Sequence, residues 1–139
     1  KSGRILSWKN NDAFDTTIEA YEGGGTPLHV EDHYKGSTDD KVNYVATNVR
    51  KANTAFSSPN NEWFITFSSS AGWKGIQRPS VTTDQIDPRV RDFLSGSEHL
   101  RTCGILIFNF AGWWDYGRWK KNGLTRAVIN LNGIPQPED

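Results

Sequence analysis

Leu28-His29-Val30-Glu31-Asp32-His33-Tyr34 runs toward Ser37-Thr38-Asp39-Asp40, and a helical pattern then leads to Trp63-Phe64-Ile65-Thr66-Phe67. This stretch decides the fold. Leu28 to Tyr34 alternates apolar and polar residues, the pattern of a strand that ends in polar side chains. Ser37 suits a helix cap, and the acids after it suit the positive helix end. Val42, Val45, Val49, Ala52 and Phe56 then recur every three or four residues, which predicts an amphipathic helix of about four turns. Ser58-Pro59-Asn60-Asn61 ends it. Trp63 to Phe67 is nearly continuously apolar, as parallel strands covered on both faces are.

Outward from this unit the alternation continues. Ser68 to Thr83 reads as a long Ser/Gly/Thr loop carrying Trp73 and Ile76. Asp87-Pro88 opens a short helix through Leu94, with Pro88 suited to the first helical position, and Gly96 ends it. Gly104-Ile105-Leu106-Ile107-Phe108-Asn109-Phe110 is the most hydrophobic segment and the clearest strand. Ala111 to Gly123 is a second aromatic-rich loop. Leu124, Ala127, Val128 and Leu131 form a last helical face, with Gly133 as its cap. On the other side, Ile5, Leu6 and Trp8 suggest a short strand, Asn10 to Glu22 is polar, and Gly23-Gly24-Gly25-Thr26-Pro27 breaks the chain. Those glycines make no phosphate loop, because no Lys-Ser/Thr follows and no helix begins there. The order strand, strand, helix, strand, helix, strand, helix indicates βαβ units and a parallel sheet, with functional groups in the loops that follow the strands. Asp32-His33-Tyr34, Ser68 to Thr83 and Asn109 onward hold those places.

Composition narrows the function. The chain has 139 residues, 16 Lys+Arg against 16 Asp+Glu, six Trp, one Cys and no Met. That length is one domain at most. Zero net charge argues against nucleic acid and against a polybasic membrane anchor. No apolar run reaches the roughly 20 residues of a membrane span, and no signal-peptide pattern stands at the N-terminus. The single Cys103 excludes an intrachain disulfide framework and a Cys-rich zinc site. A chain that begins at Lys1 and lacks Met is expected to be a processed chain or a fragment.

The strand ends, taken together, resemble the C-terminal half of a phosphatidylinositol-specific phospholipase C (PI-PLC) catalytic domain of the bacterial and fungal type. The matching pieces are Gly3-Arg4-Ile5-Leu6, Val30-Glu31-Asp32-His33-Tyr34-Lys35, Trp63-Phe64-Ile65-Thr66-Phe67-Ser68-Ser69, Ile86-Asp87-Pro88 and Gly104-Ile105-Leu106-Ile107-Phe108-Asn109-Phe110. They stand in the family's order over about Lys1 to Asn132. The resemblance implies an α/β fold, an irregular TIM barrel of parallel strands alternating with helices. A full barrel takes about 250 residues, so residues 1–139 form one unit that is about half of one. A missing N-terminal half or a partner chain would complete it.

The resemblance also implies a mechanism. One histidine deprotonates the inositol 2-hydroxyl, which attacks the adjacent phosphorus. A second histidine protonates the departing diacylglycerol oxygen, and an Arg stabilises the phosphate. All three belong to the family's N-terminal half, and His29, His33 and His99 do not match the pair. Alone, this chain is therefore expected to be inactive. Asp32 and Tyr34 match the family's carboxylate and stacking ring for the inositol, and Lys9 lies near a basic inositol contact. Asn109 stands where the family has a histidine-orienting Asp; an Asn accepts a hydrogen bond but supplies no charge to an imidazolium. Read without the family, Asp32 is an ordinary loop acid and Tyr34 a packing residue.

Trp73 and Ile76 suit either a membrane-touching rim, since Trp favours interfaces, or a fold-back over the chain's own core. Trp113-Trp114-x-Tyr116-x-x-Trp119 suits a sugar, a lipid headgroup, or the cover of apolar surface, and the packing or subunit-contact reading is preferred. Half a barrel exposes sheet edges and an apolar face, so a second chain or self-association is expected. No cofactor and no metal are expected, and secretion is. The alternative is a non-catalytic, lectin-like or lipid-headgroup-binding protein that uses Asp32 and Tyr34 to hold a polyol.

Overall fold

A computed structural model describes residues 16–19, 27–59, 62–69, 82–96, 98–108 and 123–131. The elements are β1 (Thr16–Glu19), β2 (Pro27–Glu31), α1 (Thr38–Ala55), β3 (Trp63–Phe67), a π-helical turn (Thr82–Ile86), α2 (Asp87–Leu94), β4 (Ile105–Ile107) and α3 (Leu124–Leu131). The four strands form one sheet in the order β1-β2-β3-β4. β2, β3 and β4 are parallel, with Val30 opposite Ile65 and Ile65 opposite Ile105. The alternating parallel strands and helices read from the sequence are present.

α1 begins where its cap chemistry places it. The Ser37 hydroxyl accepts from the Asp40 N–H at 3.1 Å, and the Asp40 carboxylate accepts from the Ser37 N–H at 3.2 Å. This reciprocal box satisfies two amide donors that a helix start leaves without partners. One stripe of α1, made of Lys41, Val45, Ala46, Asn48, Val49 and Ala52, is buried. α1 lies mainly on β3, and α2 packs against α1 and α3. The core between the helices and the sheet holds Val45, Val49, Ile86, Val90, Leu94, Cys103, Leu124 and Ala127. Cys103 is a free core thiol whose burial pushes its pKa up. Gly104 enters β4 at φ +67°, where a Cβ would meet Phe64 O at 2.8 Å. Only glycine fits both the left-handed backbone and that approach.

Three differences from the sequence reading have physical causes. β1 lies in the polar segment and pairs antiparallel with β2, Thr17 opposite His29. Its Thr-Thr-Ile run has strand propensity, but the decisive pairing is with β2 and is invisible in a local window. Phe56 is the C-cap rather than a core member, 55% exposed with the Arg101 guanidinium over its ring at 4.9 Å. β4 is a three-residue strand, and Ile105 is 40% exposed. Leu106 packs against the core. By strand alternation Ile105 and Ile107 point to the other face of the sheet. Trp63, opposite Leu28 on that face, is 57% exposed. Apolarity predicts the strand but not which face finds a cover. The expected strand at Ile5 to Trp8 and the Gly133 cap lie outside the described residues.

Candidate functional site

Because β2, β3 and β4 are parallel, their carboxyl ends share one edge, where open α/β sheets place ligands. The first end is Glu31, followed by Asp32, His33 and Tyr34. Asp32 and Tyr34 are half-buried. The Lys35 ammonium stands 5.4 Å from the Tyr34 ring centroid, and His33 meets Tyr44 edge-on at 4.8 Å. Glu31, the last residue of β2, faces the helices through its contact with Lys41, and Asp32 opens the loop that follows. Asp32 and Tyr34, the two expected polyol contacts, both lie in the loop that follows β2.

Directly beneath them is a buried charge pair that the sequence reading missed. Lys41 Nζ donates to both carboxylate oxygens of Glu31 at 2.9 Å and to His33 O at 2.7 Å. Glu31 Oε1 also accepts from the His33 N–H at 3.0 Å. The side chains are 2% and 0% exposed. Burial is the largest influence on Glu31 and pushes its carboxyl above the usual range, while the Lys41 charge opposes the shift. A signal did exist: Lys41 occupies the apolar stripe of α1, four residues before Val45.

The second strand end is Ser68-Ser69, both buried. Ser68 N–H donates to Ile107 O at 2.9 Å, holding the ends of β3 and β4 together. The Ser68 hydroxyl lies 3.4 Å from Asp87 Oδ1 at the start of α2. Asp87 is fully buried, and its Oδ2 has no hydrogen-bond partner among the described residues. Burial pushes its pKa up to about 7, with the Ser68 contact acting against the shift. Two turns along α1 from Lys41, Asn48 donates to Thr66 Oγ1 at 2.9 Å and Ile65 O at 3.1 Å, so the polar side chain of β3 is satisfied from the helix.

The described histidines do not form an acid–base pair. His29 Nε2 lies 2.8 Å from Glu62 Oε2, and its ring stacks on Phe64 at 4.6 Å in a groove of about 640 Å³ on the helix side of the sheet. His33 is at the strand end, and His99 is exposed. Lys9, Trp73, Ile76, Asn109, Trp113 and Trp114 lie outside the described residues. Among the described residues no group of three or more His, Cys, Asp or Glu is placed to hold a metal ion, and no helix is long and apolar enough to cross a membrane.

No protein-family model and no curated protein matches the chain. Solved structures do, and among them are variants of the phosphatidylinositol-specific phospholipase C of Staphylococcus aureus. A single-site mutant superposes with a TM-score of 0.71 at 23% identity over 94% of this chain and 40% of that one. A double mutant gives 0.67 at 25% identity over the same shares. A pentafluoro-Phe form gives 0.67 at 26% identity over 91% of this chain and 39% of that one. The chain carries part of the PI-PLC fold. It spans about 40% of the length of those PI-PLC chains. β2, β3 and β4 with α1, α2 and α3 make it a partial α/β barrel, and the carboxyl-end edge of those strands is where a PI-PLC-like fold presents its loops.

Proposed function

We propose that this PI-PLC-like chain supplies the inositol or headgroup pocket of a phospholipase C-like phosphodiesterase. The observation that carries the reading is the position of Asp32 and Tyr34 just past the carboxyl end of β2 in a PI-PLC-like barrel fragment. Asp32 accepts hydrogen bonds from ring hydroxyls, and the Tyr34 ring covers the apolar side of the polyol. Lys9 is the candidate basic contact, and Asn109 stands in the sequence where the family has its histidine-orienting Asp. Both catalytic histidines belong to the half of the barrel that this chain does not carry. One takes the proton of the inositol 2-hydroxyl as its oxygen bonds to phosphorus. The other gives a proton to the diacylglycerol oxygen as the P–O bond breaks.

The N-terminal half is supplied by a second chain cut from the same precursor or by residues outside this sequence, and a partner chain or self-association covers the open sheet face. The exposure of Trp63 and Ile105 on the sheet face away from the helices supports this, since large apolar groups clustered on one face mark an interaction surface. Trp73 and Ile76 are candidates for a lid or membrane-touching rim, Trp113 and Trp114 for packing or a subunit contact, and the protein acts outside the cell. A second reading has its own support: Asn109 replaces the charge that would orient a catalytic histidine. That reading is a non-catalytic polyol binder with the same Asp32 and Tyr34. Intact-mass measurement of every polypeptide in the preparation, followed by assay of cyclic inositol phosphate release from phosphatidylinositol, separates the two. A companion chain with turnover supports the enzyme. A single 15.6 kDa species that binds myo-inositol without turnover supports the binder, and a chain that does neither sinks both.

A further inference from the structure

We infer that the buried Glu31–Lys41 pair is a positioning device that sets the backbone of the Asp32–Tyr34 segment; this rests on the reading of Asp32 and Tyr34 as polyol contacts. The geometry is specific. His33 has one amide donor and one carbonyl acceptor, and the pair holds both: the N–H gives to Glu31 Oε1 at 3.0 Å, and the carbonyl accepts from Lys41 Nζ at 2.7 Å. Asp32 lies between the two residues that the pair fixes, and Tyr34 follows the second. Glu31 ends β2, and Lys41 belongs to the first turn of α1, whose start is locked by the Ser37–Asp40 box. The turn is therefore clamped from the strand, from the helix and at its own peptide groups. Gly36, at φ +114°, then allows the chain to swing into the cap.

Stability is a poor explanation for such a pair. Two charges at 2% and 0% exposure have each lost their water. An apolar pair of similar volume is generally as stable or more so. What an apolar pair lacks is any partner for the His33 N–H and carbonyl. The role left to Glu31 and Lys41 is conformational: they are positioning residues that touch no ligand but determine where the Asp32 carboxylate and Tyr34 ring stand.

The test uses the chain as isolated, with any polypeptide that accompanies it, and myo-inositol as the probe. Hydrogen exchange of the unsubstituted protein comes first. The His33 amide is expected to be protected to the level of the neighbouring Val30 amide; exchange at the rate of a free loop overturns the inference whatever the variants do. The double variant Glu31→Leu/Lys41→Met is then compared with the parent and with Asp32→Ala. The double variant is expected to keep the parent's unfolding midpoint, to lose protection at His33 while keeping it in α1 and β3, and to bind myo-inositol at least tenfold more weakly. Parent-like affinity in the double variant overturns the inference and leaves the polyol site standing. Absence of binding by the parent, or unchanged binding by Asp32→Ala, overturns the site reading and the positioning role with it.

Discussion

Replacing Asp87 with Asn removes a buried charge while keeping the shape of the side chain. The carboxyl is fully buried, its Oδ1 is 3.4 Å from the Ser68 hydroxyl, and Oδ2 has no partner among the described residues. Its pKa rises from the model-peptide value of 3.8 to about 7 because burial disfavours the charged form. A folded-state pKa raised above the unfolded one means that the native state holds a proton the unfolded chain has released. For this carboxyl the stability contribution is complete below pH 3.8 and is lost as pH rises through about 7. Each pKa unit is worth about 1.4 kcal/mol, so the shift corresponds to about 4 kcal/mol. The positive end of α2 favours the carboxylate and takes back up to ~1 kcal/mol of it. Urea unfolding of both proteins at half-unit steps from pH 4 to pH 8 reads the difference, in which other titrating groups cancel. The advantage of Asp87→Asn over the parent is expected to grow by about 3–4 kcal/mol across that range and to level off above pH 7. Parallel stability curves, or a parent that gains on the variant as pH rises, would refute the reasoning.

Other perturbations test separate parts of the account. Ser37→Ala removes the capping box of α1 and should lower stability by about 1 kcal/mol in urea unfolding. Gly104→Ala places a Cβ 2.8 Å from Phe64 O at a φ of +67°; the backbone conformation alone costs about 1–2 kcal/mol, read as a lowered thermal midpoint. Trp63→Lys with Ile105→Lys puts charge on the exposed sheet face and should abolish self-association or capture of a second chain, measured by sedimentation. An unchanged assembly state would move the interface elsewhere.

The sequence was most informative where a local rule acts alone. The helix from Ser37 follows from a cap and a stripe, and the helix Asp87–Leu94 from an Asp-Pro start. The strand at Trp63–Phe67 follows from an apolar run. Such features need no knowledge of a partner element. β1 was illegible because its strand character depends on pairing with β2, and the exposure of Ile105 was hidden because hydropathy does not say which face is covered. The site divides in the same way. Asp32 and Tyr34 were singled out through a motif that resembles a family's strand end, and the structure sets them just past the end of β2. Glu31 and Lys41 were missed because each looked ordinary alone, an acid in an alternating strand and a base in a polar helix start. Only the crossing of α1 over the end of β2 makes them one unit. Asp87 was read as a helix opener, and nothing in its local sequence reveals that both its oxygens are buried.

Titration with myo-inositol, followed through backbone amide shifts in the parent and in Asp32→Ala, tests the central claim most directly. Saturable shifts centred on residues 31–36 are expected in the parent, with their loss in Asp32→Ala and an unchanged spectrum around the His29–Glu62 groove. Shifts that persist in Asp32→Ala, or that appear only around that groove, would contradict the claim.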